Sequence, residues 1–312
     1  MSSESIKKND KVSTEHPNAV KNHAAEQYEA FPGIKIMYYD IHSCYDESET
    51  AELLPCSTFE IFHCREGRME FNVLGEYCYI SSGDILIIRN RRNSGKLYFP
   101  LRHYHGITIC VDTDNAAECP SCFLHDITVQ PNVIAEKICG EHSYFIARSN
   151  KSFEHIFSEL YNIPEEIRHG YCKIKILELL LFLSVFDTDK EKSEKRNVKP
   201  HQVSLAKNAA EYLMENMDEK ISLEQVADKY HVSVTALKTA FKAVYGVPFY
   251  AYIKTMKIES ASYMLEHTDK TVIEIANEHG YDNASKFAAA FRSIKEVSPI
   301  EYRTIHSRNK RI

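Results

Sequence analysis

One pattern occurs twice in the last hundred residues, and this repeat constrains the fold more than any other feature. Leu223-Glu-Gln-Val-Ala-Asp-Lys-Tyr-His-Val-Ser aligns with Val272-Ile-Glu-Ile-Ala-Asn-Glu-His-Gly-Tyr-Asp. Ala227 and Ala276 are 49 residues apart, whereas Leu237 and Phe287, like Phe241 and Phe291, are 50 apart. The second copy therefore has one extra residue in its turn. Each copy reads as helix, tight turn, helix. Ser222 with Gln225, and Thr271 with Glu274, have the spacing of capping boxes, which satisfy the first amides of a helix. Ala227 and Ala276 are small enough to let another helix cross closely. Gly280 suits the positive φ of a tight turn; His231 holds the equivalent place in the first copy, where glycine is easier. Ser233 can cap the second helix of copy one, and Asp282 or Asn283 that of copy two. Between the copies, Pro248 to Leu265 reads as one long helix with Ile253, Met256, Ala261, Met264 and Leu265 as its buried stripe. A helix-turn-helix can lay its second helix in the DNA major groove, and a rigid rod can hold two such units in fixed geometry.

The rest of the chain follows other periods. Residues 1–30 are polar and read as a disordered tail. Residues 34–129 read as β: residues alternate in Phe59–Arg65, Met69–Leu74 and Tyr77–Ile80, with turns at Glu66-Gly67, Leu74-Gly75 and Ser82-Gly83-Asp84. Asp84-Ile-Leu-Ile-Ile is a short buried strand. Phe153, Ile156, Phe157, Leu160 and Tyr161 then share a helical face, and Tyr171 to Phe186 forms a second, very apolar helix. A charged run from Asp187 to Asn197, ending near Pro200, is the clearest linker.

A length of 312 residues suggests two domains, and 44% apolar content excludes wholesale disorder. The longest apolar run, Ile176 to Phe186, is interrupted by Glu178 and Ser184 and is too short to span a bilayer. The start, MSSESIKKND, has no apolar core and is not read as a secretory signal. A soluble, cytoplasmic protein without a membrane partner is expected. Nine scattered cysteines are not a disulfide framework, and Cys119-Pro-Ser-Cys122 lacks the second pair or strand-to-helix setting of a zinc or redox site. Net charge is −6, but residues 199–312 balance at +2 and residues 1–198 at −8. This asymmetry suits a back half that meets a polyanion.

From about residue 203 to 304 the chain resembles the DNA-binding domain of the AraC/XylS family of bacterial transcription regulators. The resemblance is carried by Lys257-Ile-Glu-Ser-Ala-Ser-Tyr-Met-Leu, Ile275-Ala-Asn-Glu-His-Gly-Tyr, Phe287-Ala-Ala-Ala-Phe-Arg and Ser298-Pro-Ile-Glu-Tyr-Arg. Glu296, where many members have glycine, departs from it. The run Glu60–Phe71 followed by Tyr79–Ile88 is similar to the family's cupin-like effector-binding half. The implied fold class is α+β: an N-terminal cupin-like β-barrel with two following helices, then an all-α domain of seven helices with two helix-turn-helix motifs. The implied units are a cupin-like domain over 31–130, a helical dimerisation segment over 131–186, a linker over 187–200, a DNA-binding domain over 201–306 and a basic tail over 307–312. The two motifs fall at 223–244 and 271–294.

The family's base-facing positions fall on Thr235, Lys238 and Thr239. Threonine offers a hydroxyl and a methyl, and lysine can reach guanine O6 and N7. Lys242 is placed for phosphate. The matching positions of the second motif are mostly alanine, leaving Asn283, Ser285, Lys286 and Arg292 to reach phosphate or a base edge. Arg303, Arg308, Lys310 and Arg311 form a basic run. In the front half His63, Arg65, His103 and His105 are candidates to line an effector pocket or an allosteric surface. Enzymatic cupins hold a metal with a His-x-His pair, a glutamate and a later histidine; no such pair lies upstream of Glu60, and His103-Tyr-His105 is on the wrong strand. No metal or other cofactor is expected. Nucleotide-loop, Gly-x-Ser-x-Gly and His-Glu-x-x-His motifs are missing, so no enzyme activity is expected. The resemblance implies an effector-responsive activator acting on promoter DNA and RNA polymerase, dimeric, with an unidentified small-molecule effector. The alternative is a cupin-type metalloenzyme fused to a DNA-binding module.

Overall fold

The computed structural model describes residues 23–45, 58–73, 75–89, 97–116, 129–140, 144–148, 151–188 and 197–309. The expectations for residues 1–22, for Cys119-Pro-Ser-Cys122, for 189–196 of the linker and for 310–312 of the basic tail lie outside these residues.

The front half is built on seven antiparallel strands: β1 (His23–Phe31), β2 (Ile34–Ile41), β3 (Thr58–Val73), β4 (Glu76–Ser81), β5 (Ile85–Arg89), β6 (Tyr104–Asp112) and β7 (Tyr144–Ala147). Their order is β1-β2-β6-β3-β5-β7, with β4 pairing β3 off this path. The expected barrel is not closed, because β1 and β7 lie at opposite edges. Closure is unnecessary for burial here. Helices α1 (Pro131–Cys139), α2 (Lys151–Leu160) and α3 (Arg168–Val185) cover one face, over Ile36, Ile61, Ile107 and Ile109. The other face buries Phe62, Met69, Phe71, Phe99 and Tyr104 beneath the β3–β4 hairpin.

Three further expectations need correction. Strand β1 occupies part of the supposed tail. The 131–186 segment is not all helix, since α1 and β7 precede α2; β7 is a four-residue run, buried at every position, too short to show alternation. Glu66-Gly67 is not a turn but part of one 16-residue strand, with a bulge between Cys64 and Glu66. Gly67 has φ 86°, and a Cβ there would lie 2.2 Å from the His103 carbonyl oxygen, so the bend requires glycine. Beyond this bend β3 leaves the main sheet and pairs with β4. The resulting hairpin reaches the back half.

The back half contains seven described helices, as the resemblance implied: α4 (Pro200–Glu215), α5 (Leu223–Lys229), α6 (Val234–Tyr245), α7 (Phe249–His267), α8 (Val272–Glu278), α9 (Ala284–Lys295) and α10 (Pro299–Asn309). Two small cores form around α7. Met256 enters one, with Ala206, Val226, Leu237 and Phe241; Ile258 and Leu265 enter the other, with Ile275, Phe287 and Phe291. The central helix is thus the shared wall that fixes one repeat against the other. No helix among the described residues is long and apolar enough to cross a membrane.

Candidate nucleic-acid interface

Each repeat is held by the caps its sequence specifies. The Gln225 amide donates to Ser222 Oγ at 3.2 Å while the Ser222 amide donates to Gln225 Oε1 at 2.7 Å. Thr271 and Glu274 repeat this exchange at 3.3 and 2.6 Å. The second helices start at Ser233, which accepts from the Ala236 amide, and at Asn283, which accepts from the Ser285 amide. His231 takes φ 54° and Gly280 φ 72° in the matching turns. Glu296 takes φ 63°, the left-handed value that Gly246 shows at 75° after α6. The turn before Ser298 therefore keeps its shape, at the steric cost of a Cβ.

The structure separates the expected reading positions, which are exposed, from the packing positions, which are buried. On α6, Leu237 and Phe241 are fully buried while Thr235, Lys238, Thr239 and Lys242 are exposed. The Thr239 hydroxyl donates to the Thr235 carbonyl at 2.9 Å, leaving its methyl and lone pairs outward. On α9, Phe287 and Phe291 are buried, and Ser285, Lys286 and Arg292 are exposed beside Ala284 and Ala289. The Asn283 carbonyl oxygen is already used as a cap. Arg292 lies 3.9 Å from Glu301. Lys254 to Ser293 at 2.7 Å and Lys295 to Glu259 at 2.5 Å tie α9 to α7. Arg303 departs from the expected basic run: its guanidinium donates to the Leu265 and Lys270 carbonyls, closing the end of α7.

The four front-half candidates fall in two groups. His63 is buried, stacked 4.4 Å from Phe157, with Nδ1 3.0 Å from the Tyr161 hydroxyl. Burial, and then the Arg65 charge, push its pKa down to about 4, so it is neutral near pH 7. Arg65 lies 4.8 Å from the same Tyr161 ring. His103 and His105 sit further along, at the start of β6. His103 Nδ1 faces the Leu101 carbonyl at 3.2 Å, and His105 Nδ1 faces Asp40 at 3.1 Å.

Sequence reading missed the contacts that join the halves. The Arg68 guanidinium, on the β3–β4 hairpin, donates through Nε to the Val244 carbonyl at 2.8 Å and through Nη2 to the Ala243 carbonyl at 2.7 Å. These are C-terminal carbonyls of α6, where a cation also meets the negative end of the helix dipole. Nη1 donates to the Ser81 hydroxyl, and the guanidinium lies 4.9 Å from the Tyr79 ring centroid. Beside it, Lys207 of α4 donates to Glu70 at 2.7 Å, and Tyr79 donates to the other Glu70 oxygen. Burial lowers the Arg68 pKa to about 10. The one available signal was the alternation of Arg68, Glu70 and Asn72 with apolar residues; nothing in it names the partner.

Comparison with known proteins places this architecture. Residues 226–305 match the model of a helix-turn-helix domain family. The chain is 31% identical over 100 residues to the transposon Tn10 TetD protein of Escherichia coli, covering 32% of this chain and 72% of that protein. The chain belongs to the AraC/XylS family. Another AraC/XylS relative, regulatory protein PocR of Salmonella typhimurium, is 25% identical over 161 residues, 47% of this chain and 53% of PocR. The chain thus matches about half the length of that relative. The C-terminal domain of AraT, a response regulator from Geobacillus stearothermophilus, aligns with 32% of this chain and 84% of its own at 29% identity, with a TM-score of 0.32. An AraC-type helix-turn-helix domain forms the back half, and PocR is named a regulatory protein.

Proposed function

We propose that the chain is a sequence-specific, DNA-binding transcription regulator that reads duplex promoter DNA with two unequal heads. The observation that carries this reading is the pair of capped helix-turn-helix units fixed on one central helix, each presenting polar positions outward and burying its aromatics. Head one leads, because Thr235, Lys238 and Thr239 can read base edges; Lys242 meets phosphate. Head two mainly sets position through Asn283, Ser285, Lys286 and Arg292, since its alanines cannot form bidentate base contacts. The front half is the sensing half, taking a small-molecule effector near His63, Arg65, His103 or His105, with no catalytic role. The regulator works in the cytoplasm as an activator that engages RNA polymerase. A homodimer forms through α3, whose Ile174, Phe182 and Val185 are exposed on one face.

The test is capture of genomic duplex fragments by the full chain, followed by titration at several salt concentrations. A selected site with salt-dependent affinity is expected; no selection and no salt dependence rejects the reading. On the selected site, Lys238→Ala is expected to cost roughly 1–3 kcal/mol and to relax one position. Ser285→Ala is expected to change base preference less. The reverse ranking overturns the assignment of the leading head.

A further inference from the structure

We propose that Asp40, His42 and His105 form a binding site for a borderline divalent transition-metal cation, of which Zn²⁺ is the type. Asp40 and His105 come from two neighbouring strands, and His42 follows the last residue of β2. Strands β2 and β6 pair without a register shift from Ile34↔Val111 to Ile41↔Tyr104, and Asp40 stands directly opposite His105. The ladder therefore fixes both backbones. Asp40 and His42 are two residues apart and share a face, while Ile41 and Tyr104 are buried on the opposite one. The site thus stands at the solvent end of the sheet.

The donor atoms already converge. Asp40 Oδ1 lies 2.9 Å from His42 Nε2 and 3.1 Å from His105 Nδ1. All three donor atoms lie within 4.8 Å of one another. Two N or O ligands on one tetrahedral zinc, each at about 2.0–2.1 Å, stand roughly 3.3 Å apart. These two separations are close to that value and the imidazole nitrogens lie within 4.8 Å of each other, so a small closing movement brings all three donors onto one cation. The donor set of two imidazole nitrogens and one carboxylate oxygen suits Zn²⁺, Co²⁺ or Ni²⁺ better than Mg²⁺ or Ca²⁺, which take oxygen ligands.

A second feature supports the site. His103 is two residues before His105, and their rings are 6.5 Å apart. With Nδ1 facing the Leu101 carbonyl, His103 carries its proton there and keeps a lone pair on Nε2. It is placed to supply a fourth ligand, the third imidazole, by side-chain rotation. The Asp40 and His42 side chains are 56% and 50% exposed, which leaves an entry path and open positions for water. This arrangement differs from a cupin set, which gathers inside a barrel. It rests on the sheet alone and is independent of the DNA-binding reading.

The experiment titrates CoCl2, then ZnCl2, into chelator-stripped full-length protein and follows calorimetry and visible absorption. One Co²⁺ per chain is expected, with d–d bands of nitrogen and oxygen ligation and displacement by Zn²⁺. Asp40→Asn combined with His105→Ala is expected to weaken binding at least about tenfold. His155→Ala, at an exposed imidazole beside Glu159, is the control and should bind as the native chain does. Should the double variant unfold, His42→Cys at a half-exposed position replaces it. It is expected to add a thiolate charge-transfer band, which places residue 42 on the metal. No binding by the native chain, a thiolate band in the native chain, undiminished binding in the double variant, or a His42→Cys chain without that band would overturn the proposal.

Discussion

At the scale of single residues, two side chains accept environments that cost stability. Glu296 holds a left-handed φ of 63° at the end of α9, where its Cβ crowds the backbone. Glu296→Gly is expected to stabilise the chain by about 1 kcal/mol, measured by denaturant unfolding. His63 is buried as the neutral imidazole, with its pKa depressed from 6.5 to about 4. Above pH 6.5 both folded and unfolded chains leave it neutral, so its contribution to stability is complete there. As pH falls from 6.5 towards 4 the unfolded chain takes a proton that the folded chain refuses, and stability is lost, roughly 3 kcal/mol at most. His63→Phe keeps a ring against Phe157 and removes the titration. Stability curves of the two proteins should diverge across that window and run parallel outside it. Identical slopes would show that His63 ionises freely in the fold.

Among the elements, α2 and α3 show how one helix can serve two surfaces. Phe153, Ile156, Phe157 and Leu160 of α2 are buried, as their spacing predicts. Helix α3 turns Ile176, Leu179, Leu180 and Leu183 to the same core. Its buried Lys175 is paired with Glu159 and Glu178, so the charge is compensated. The opposite face of α3 leaves Ile174 61%, Phe182 41% and Val185 74% exposed. Such a stripe suits a second copy of the chain. Phe182→Asp is expected to shift the protein from dimer to monomer in sedimentation, without loss of helical signal. A native chain that sediments as a monomer at all concentrations rules the face out.

For the whole molecule, the decisive feature is the hairpin that docks on α6. Arg68 closes the carbonyl end of α6, and Glu70 pairs with Lys207 of α4. These contacts connect the sheet directly to α6, apart from the α2–α3 pair. Coupling between the halves is expected to run here. The native chain should melt in one calorimetric transition, and the Arg68→Ala, Lys207→Ala chain in two. A single unchanged transition in the variant would show that the halves cooperate by another route.

Features that depend on local chemistry are legible in the residues alone. Ser222 with Gln225, Thr271 with Glu274, and the Leu237, Phe241, Phe287 and Phe291 spacings each act within a few residues, so both helix-turn-helix units were legible. So was the outward face of α6, because burying one helical stripe exposes the other. The tertiary structure decided whatever joins residues distant in the chain. Asp40 and His105 meet only because β2 pairs with β6, and Arg68 reaches Val244 only because the bulge after Cys64 and the bend at Gly67 turn the hairpin outward. Closure of the sheet was misjudged for the same reason: strand alternation shows that one face is apolar, but not whether a neighbouring strand or a helix covers it. Period and capping are properties of a segment, whereas pairing depends on the competition among all segments for the same buried surface.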